Sequence, residues 1–550
     1  MGVRFLGCIL SDRRSVALGE GLSRIYDESG IDAVRMRLDL VRLSGFRKAN
    51  ALIGEAFKCS VSARRKATDL GAIAQSICQD PIVRKRVGFL LWKTGAIERP
   101  LEILESLDSG IFSPEDAKRL VDMREDYDFW RSGFFVVPDG VGPGKQRVPN
   151  RWMYVASQSY PLHTNGYTIR SDEIVSTLRE MGVPVDAVTR PGYPWDRGGS
   201  TFVVGNNQPS DPWIHLSHPS TVVSMRRYFE EGSAALDRLM RDRASTGVWA
   251  ASDAESAMPA LLAARKNGLF FVYEMRGLWE WSNASNDPDY AETERFRMKM
   301  DMERRVARAS DRVMVISRAL AAEVASWGVD PSRIMVLPNC IRSCPEVKRK
   351  LFKPSDGLIL GYAGSSAAYE GLDDLLRVLA LVRDTSRLVR LRLWIDARAK
   401  SGLLPVVEVL GLTGSVEFRD RCLPDRMPDE LSAVDAVVLP RRDTPVTRII
   451  PPLKLVQAMA LGLPVVAPSL PVICEEVTDG ETGLLFDPGN PESLQERICQ
   501  LHDNPELAVR IGLNARNRVQ QARLWRSFLT DCFLLMNDLS SDDSGFRENC

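Results

Sequence analysis

Histidine is nearly absent from this 550-residue chain: His163, His215, His218 and His502 are the only four. They are scattered, no H-E-x-x-H occurs, and no cluster has zinc-ligand spacing, so zinc-dependent chemistry is excluded and no metal site is expected. Ten cysteines lie along the whole chain without a C-x-x-C pair, the tightest spacing being Cys340 to Cys344, and they read as free, mainly buried thiols. No apolar run approaches the ~18 residues of a membrane-spanning helix. The opening Met1–Asp12 has too short an apolar stretch for a signal peptide. Together these predict a cytoplasmic protein that at most touches the inner face of a membrane. Charge of one sign is also lacking, since 72 Lys and Arg balance 72 Asp and Glu. A net charge of zero removes the electrostatic case for a general nucleic-acid partner. No G-x-x-x-x-G-K-[ST] loop is present, and Gly361-x-x-Gly364 does not supply a G-x-G-x-x-G turn, so phosphate-loop ATPases and nucleotide-dependent oxidoreductases find no support.

What the chain does have is size and alternation. Its length predicts about three or four folded units, and 44% apolar with 26% charged residues is the composition of an ordinary globular protein. Residues 1–140 read as helical. Leu101 and Leu104 keep helical spacing, Ser113-Pro114-Glu115-Asp116 is a helix start, and Val87–Leu107 around Gly95 faintly resembles one helix-turn-helix repeat unit. Pro138–Gly144 lies in a Pro/Gly-rich linker, here bounded as 141–150.

Short apolar runs then alternate with amphipathic helices. Strands are predicted at 153–157, 185–189, 248–251, 269–274, 312–316 and 334–337. Helices are predicted at 168–181, 221–243, 254–266, 292–309 and 317–327. Asp287-Pro288-Asp289 sits in a polar stretch and reads as a loop or helix start rather than a metal motif. Arg295–Arg308 mixes Met298, Met300 and Met302 with charge and reads as a solvated helix face, or one that could touch a membrane. After the charged stretch Glu346–Asp356 the alternation restarts. Strands are predicted at 358–363, 391–395, 415–418, 436–439, 465–467 and 483–486, and helices at 370–385 and 452–461 before a run of C-terminal helices. The fold class is therefore α/β with two successive doubly wound domains, 151–345 and 356–515. A C-terminal helix at 516–537 and a polar tail at 538–550 follow. Ligands of such sheets bind at the carboxyl ends of the strands, in the cleft between the domains.

Two stretches carry candidate chemistry. Gly361–Ala368 leads from a strand into a helix, and Gly364, Ser365 and Ser366 are placed where free amides can meet an anion. Pro440-Arg441-Arg442 ends a strand, and Pro451-Pro452-Leu453-Lys454 opens a helix. A lysine at the positive end of a helix is electrostatically misplaced unless an anion meets it.

The segment Leu453–Ser469, with Lys454, Gln457 and Gly462-Leu463-Pro464, resembles the donor-binding signature of glycosyltransferase family 4, and Thr478–Phe486 resembles the glycine turn that follows it there. In the first domain, Ser159–Arg170, Thr189–Asp196, Tyr273–Glu280 and Val336–Asn339 are similar to that family's loops and come in its order. The resemblance spans about 151–536. It implies a GT-B fold, two Rossmann-like domains facing a cleft. It also implies retaining, metal-independent transfer of a sugar from a nucleotide-diphosphate-sugar, a co-substrate rather than a cofactor, to a glycan or lipid-linked acceptor in polysaccharide biosynthesis. On the donor side it assigns Gly364, Ser365 and Ser366 to the diphosphate, Arg441, Arg442 and Lys454 to charge neutralisation, Gln457 to the ribose and Glu476 to the sugar. Asn165, Gly166 and Arg276 fall on the acceptor side, with Arg276, Lys454 and Arg442 as the catalytic set.

The chain departs from the family pattern on the donor side. Gln457 stands where a glutamate is usual, and Thr447-Arg448-Ile449-Ile450 has no acid. Ser365 and Glu370 stand where many relatives carry Arg and Lys, and Val472-Ile473 replaces a glycine pair. Trp249 occupies a common histidine position. An active transferase with a modified donor pocket is one reading; a non-catalytic scaffold, whose helical N-terminal region binds a protein partner, is the alternative.

Overall fold

A computed structural model describes residues 13–41, 44–60, 63–137, 150–197, 212–217, 223–345 and 352–538. The expected linker from Pro138, most of the boundary stretch at 346–356 and the tail beyond residue 538 lie outside the described residues.

Two parallel sheets form the centre of the molecule. The first runs β3-β2-β1-β4-β5-β6-β7, with β1 Trp152–Ala156, β2 Val185–Thr189, β3 Trp213–Ile214, β4 Gly247–Ala251, β5 Phe270–Met275, β6 Arg312–Val315 and β7 Ile334–Val336. The second runs β10-β9-β8-β11-β12-β13, with β8 Leu358–Ala363, β9 Val389–Trp394, β10 Val416–Arg419, β11 Ala436–Val438, β12 Val465–Pro468 and β13 Leu484–Phe486. In both sheets the chain starts centrally, winds to one edge and returns to the other side. The switch points lie between β1 and β4 and between β8 and β11, where a doubly wound sheet opens a crevice for a ligand.

These strands form because apolar residues occupy both faces, as a sheet covered by helices on each side requires. Met153, Val155, Val248, Ala250, Phe271 and Tyr273 face one core, with the helices Met225–Asp242, Ala254–Lys266 and Glu294–Ala309. Their neighbours Trp152, Tyr154, Trp249, Ala251 and Val272 face the other, with the helix Gly166–Glu180 and Trp525 from the C-terminal helix Trp525–Asp538. The second sheet is layered alike. Leu358, Leu360 and Leu391 pack under the helix Leu372–Arg383, and Val437, Val465 and Ala467 under the helix Leu453–Ala460.

The N-terminal helices divide. Leu22, Leu52, Leu70 and Leu90 centre a small core of their own. Phe89, Trp92, Leu101, Leu104, Met123 and Phe129 instead join the core of the first sheet's helices. The turn between the helices Pro81–Thr94 and Glu98–Glu105 is made by left-handed Gly95. Ser113 caps the helix Pro114–Arg131 by accepting from Asp116 N at 3.1 Å. The helix Glu294–Ala309 is clamped from outside by this region: Arg295 stacks 4.7 Å over Trp92, and Trp130 Nε1 donates to Asp301 Oδ2 at 3.0 Å. Met298, Met300 and Met302 are buried, while Arg297 and Arg308 on the same helix are exposed, so the stretch read from sequence as a solvated or membrane-touching face is solvated on one side and packed on the other. Among the described residues, no helix is long and apolar enough to cross a membrane.

Candidate functional site

At the carboxyl end of β8 the chain turns at Gly364, whose N–H donates to Trp394 O at 3.2 Å. Here φ is +156°, which favours glycine, and a Cβ would stand 2.9 Å from Lys454 Nζ and 3.3 Å from Tyr362 Oη, so a side chain at this turn would push the lysine end aside. Exposed Ser365 and Ser366 follow. The turn then closes through Gly371, in left-handed geometry at φ +68°, where a Cβ would meet Pro440 O at 2.1 Å. Arg442 N donates to Tyr369 O at 2.8 Å. The loops leaving β8 and β11 are therefore fastened side by side at the switch point.

Lys454 enters from the first turn of the helix Leu453–Ala460, whose N-cap, Pro452, supplies no side-chain cap. Its Nζ lies 2.7 Å from both Tyr362 Oη and Glu370 Oε2, and 4.1 Å from the Tyr362 ring centroid. Tyr362 Oη in turn lies 2.7 Å from Ser365 O and 3.1 Å from Glu370 Oε2. The Lys454 side chain is 18% exposed and that of Glu370 only 6%. Burial pulls the Lys454 ammonium below its ordinary range against the upward pull of Glu370. Burial raises the Glu370 carboxyl, but Lys454 and Arg441 outweigh it and hold it low. Burial, reinforced by Glu370, keeps the Tyr362 phenol well above its normal value.

The two arginines part ways. Arg441, 4% exposed, donates from Nη1 to Ile450 O at 2.8 Å and brings Nε to 3.6 Å from Glu370 Oε1. It stays at the site. Arg442 turns outward onto the first turn of the helix Leu372–Arg383, meeting Asp373 and Asp374 at 2.7 Å each. Gln457 lies one turn beyond Lys454 on the same helix, half-buried and with no side-chain hydrogen bond among the described residues. Glu476 is occupied elsewhere, taking Arg523 at 2.9 Å from Nε and 3.0 Å from Nη2. Its neighbour Glu475 accepts from Arg318 N and Ala319 N at 3.2 and 3.4 Å, the start of a first-domain helix.

The first domain faces this site closely. Asn165 caps the helix Gly166–Glu180 by accepting from Thr168 N at 3.0 Å, and Gly166 points at Leu453, which a Cβ would meet at 3.9 Å. Asn339 Nδ2 donates to Pro451 O at 3.0 Å, and Ser317 Oγ to Ile449 O at 2.6 Å. Arg276 lies behind this face. It holds Glu274 from Nε and Nη2, both at 2.9 Å, Tyr167 O at 2.9 Å and Ser171 Oγ at 2.6 Å from Nη1, and it also bonds the Tyr154 hydroxyl. All five of its N–H groups are thereby used inside the domain. Burial raises the Glu274 carboxyl, yet Arg276 and Arg170 together hold it at about 2. Arg170 also reaches Pro338 O at 2.7 Å and Asn339 Oδ1 at 3.1 Å, so one buried ionic chain runs from β5 to the crossing between the domains.

Of the residues expected on the donor side, Lys454, Gly364 and Arg441 lie together, whereas Arg442 and Glu476 pair elsewhere, and Arg276, expected with Lys454 and Arg442 in one catalytic set, is held inside the first domain. Sequence reasoning did not foresee that Glu370 closes on Lys454, although an acid at a usual lysine position was the signal available. Nor did it mark Glu475.

Compared with known proteins, residues 165–340 match the family described as Glycosyl transferase 4-like domain, and residues 357–504 that described as Glycosyl transferases group 1. Together the two matches span more than half of the chain. The chain belongs to the group 1, family 4-type glycosyltransferases. Its two sheets are the paired domains of the GT-B fold. A D-inositol 3-phosphate glycosyltransferase of Streptomyces scabiei is 27% identical over 272 residues, 46% of this chain and 59% of that protein. One from Stackebrandtia nassauensis is 25% identical over 379 residues, 63% of this chain and 82% of its relative. The chain spans about half the length of most of the first curated relatives it matches. Among solved structures, sucrose-phosphate synthase of Thermosynechococcus elongatus has a TM-score of 0.56 at 19% identity, covering 71% of this chain and 99% of that one. HepE of Anabaena, solved in complex with UDP, has a TM-score of 0.53 at 15% identity, covering 70% and 100%. Among the described residues, no three or more His, Cys, Asp or Glu side chains group so as to hold a metal ion.

Proposed function

We propose that this family member transfers a sugar from a nucleotide-diphosphate-sugar to an acceptor in glycan or polysaccharide biosynthesis, with retention and without a metal. The observation carrying the proposal is Lys454 lodged against Gly364 at the β8–β11 switch point, with the acceptor-side helix start at Gly166 directly opposite. In this reading the amides of Ser365 and Ser366 and the cations Lys454 and Arg441 take the diphosphate. Charge developing on the leaving phosphate is what such fixed donors and cations stabilise. Gln457, one turn from Lys454 and uncommitted, takes the ribose. Arg276 acts from behind by holding the acceptor-side helix through Tyr167 and Ser171. Arg442 supports the loop through Asp373 and Asp374, and Glu476 anchors the C-terminal crossing through Arg523.

The test is a thermal-shift panel of uridine-, guanosine- and adenosine-diphosphate sugars, followed by transfer assays in which D-inositol 3-phosphate, the compound in the curated relatives' name, is the first acceptor. Stabilisation by one nucleotide class and release of its diphosphate support the proposal. Indifference to all three would remove it. The second reading, a non-catalytic scaffold, draws on Lys454 already having a carboxylate partner; transfer by the unmodified protein would end it.

A further inference from the structure

The two cations that would receive a diphosphate, Lys454 and Arg441, already face a carboxylate of the chain. Glu370 Oε2 lies 2.7 Å from Lys454 Nζ and 3.1 Å from Tyr362 Oη, and its other oxygen lies 3.6 Å from Arg441 Nε. Arg441 Nε is buried and, among the described residues, has no hydrogen-bond partner, so at 3.6 Å Glu370 faces it without satisfying it. A carboxylate of the chain thus occupies a position between two cations that an anionic ligand would also seek. The turn Ala368–Glu370 holds it there, ended by left-handed Gly371 pressed on Pro440 O. That backbone is fixed from both sides, since Arg442 N donates to Tyr369 O at 2.8 Å and Ala368 N donates to Asn286 Oδ1, in the first domain, at 3.0 Å.

We propose that Glu370 is a built-in competitor of the donor's diphosphate: a carboxylate that occupies Lys454 and Arg441 in the unliganded protein and must release them for donor to bind. This rests on the donor-site reading above. With Lys454 and Arg441 against one carboxylate, the site offers one net positive charge, whereas a diphosphate ester brings two negative ones. Glu370 therefore weakens binding both by holding the cations and by standing as a like charge beside the incoming phosphate. The release is a side-chain rotation of Glu370; no covalent bond changes. The asparagine contact at Ala368 ties this turn to the first domain, so a shift of one domain against the other moves the backbone that carries Glu370.

The test measures UDP, GDP and ADP affinity by titration calorimetry, for the parent, Glu370→Gln and Glu370→Lys. Glu370→Gln keeps the shape and removes the charge, and is expected to tighten the preferred nucleotide by about ten-fold, the usual scale for one ionic hydrogen bond. Glu370→Lys is expected to tighten it further. Glu370→Asp withdraws the carboxylate by one methylene with the least disturbance of the fold, and is expected to give an intermediate gain; melting curves without ligand establish that each variant is folded. A parent and variants that bind the same nucleotide equally, or variants that bind more weakly, would overturn the proposal and leave the donor site standing. Folded proteins of which none binds any of the three would overturn the donor-site reading and this inference with it.

Discussion

Glu370 Oε2 lies 2.7 Å from Lys454 Nζ across the mouth of the second sheet, so the cation expected to meet the donor arrives already paired. Removing either charge alone leaves the other buried. Lys454→Met is expected to destabilise the protein by about 3 kcal/mol, the low end for breaking a buried pair because Arg441 remains near Glu370. Combining it with Glu370→Gln should recover most of that loss, which urea unfolding of the single and double variants would measure. Transfer activity of Lys454→Met is expected to fall by about 100-fold or more.

Gly364 admits Lys454 by having no side chain. Gly364→Ala places a methyl 2.9 Å from Nζ on a backbone of φ +156°, both unfavourable. The expected outcome is loss of nucleotide-induced stabilisation with a melting midpoint only a few degrees lower. An alanine variant that binds donor as the parent does would show that the turn tolerates a Cβ.

Acid should weaken the protein through Glu274. Its carboxyl is held at about 2 in the fold against an ordinary 4.5, so it contributes stability above pH 4.5 that drains away as pH falls toward 2. The linkage corresponds to about 3 kcal/mol. Glu274→Gln is expected to be less stable than the parent at neutral pH, with the gap closing between pH 4.5 and 2 in denaturation curves measured at several pH values.

Trp525 is fully buried, donates to Glu173 Oε2 at 2.8 Å and carries the Arg170 guanidinium 4.8 Å above its ring. Trp525→Ala is expected to cost about 3–5 kcal/mol. It should also free the C-terminal helix from the first domain, visible as accelerated amide exchange at 526–533.

The architecture was legible in the sequence because parallel strands covered on both faces are nearly all apolar. The strands at 185–189 and 358–363 and the helix at 254–266 occur at the bounds that pattern predicts. β3 was not legible: it has two residues, too few to show a period, and it pairs only at the sheet edge. Met298, Met300 and Met302 are buried although Arg297 and Arg308 beside them are solvated, because the N-terminal helices meet this helix through Arg295 and Asp301, a contact no spacing announces. The site was half legible. Lys454 at an uncapped helix start and Gly364 after a strand are local signals, but the commitments of Arg442 to Asp373, Glu476 to Arg523 and Arg276 to Tyr167 and Ser171 are tertiary, and sequence spacing does not carry them.

The most direct measurement is a crystal structure of the protein soaked with a nucleoside diphosphate from the class that stabilises it. The account predicts phosphate oxygens within hydrogen-bond distance of Lys454 Nζ and the Ser365 and Ser366 amides, with Glu370 turned away from the lysine. A bound nucleotide whose phosphates lie elsewhere while the Lys454–Glu370 pair stays intact would contradict it.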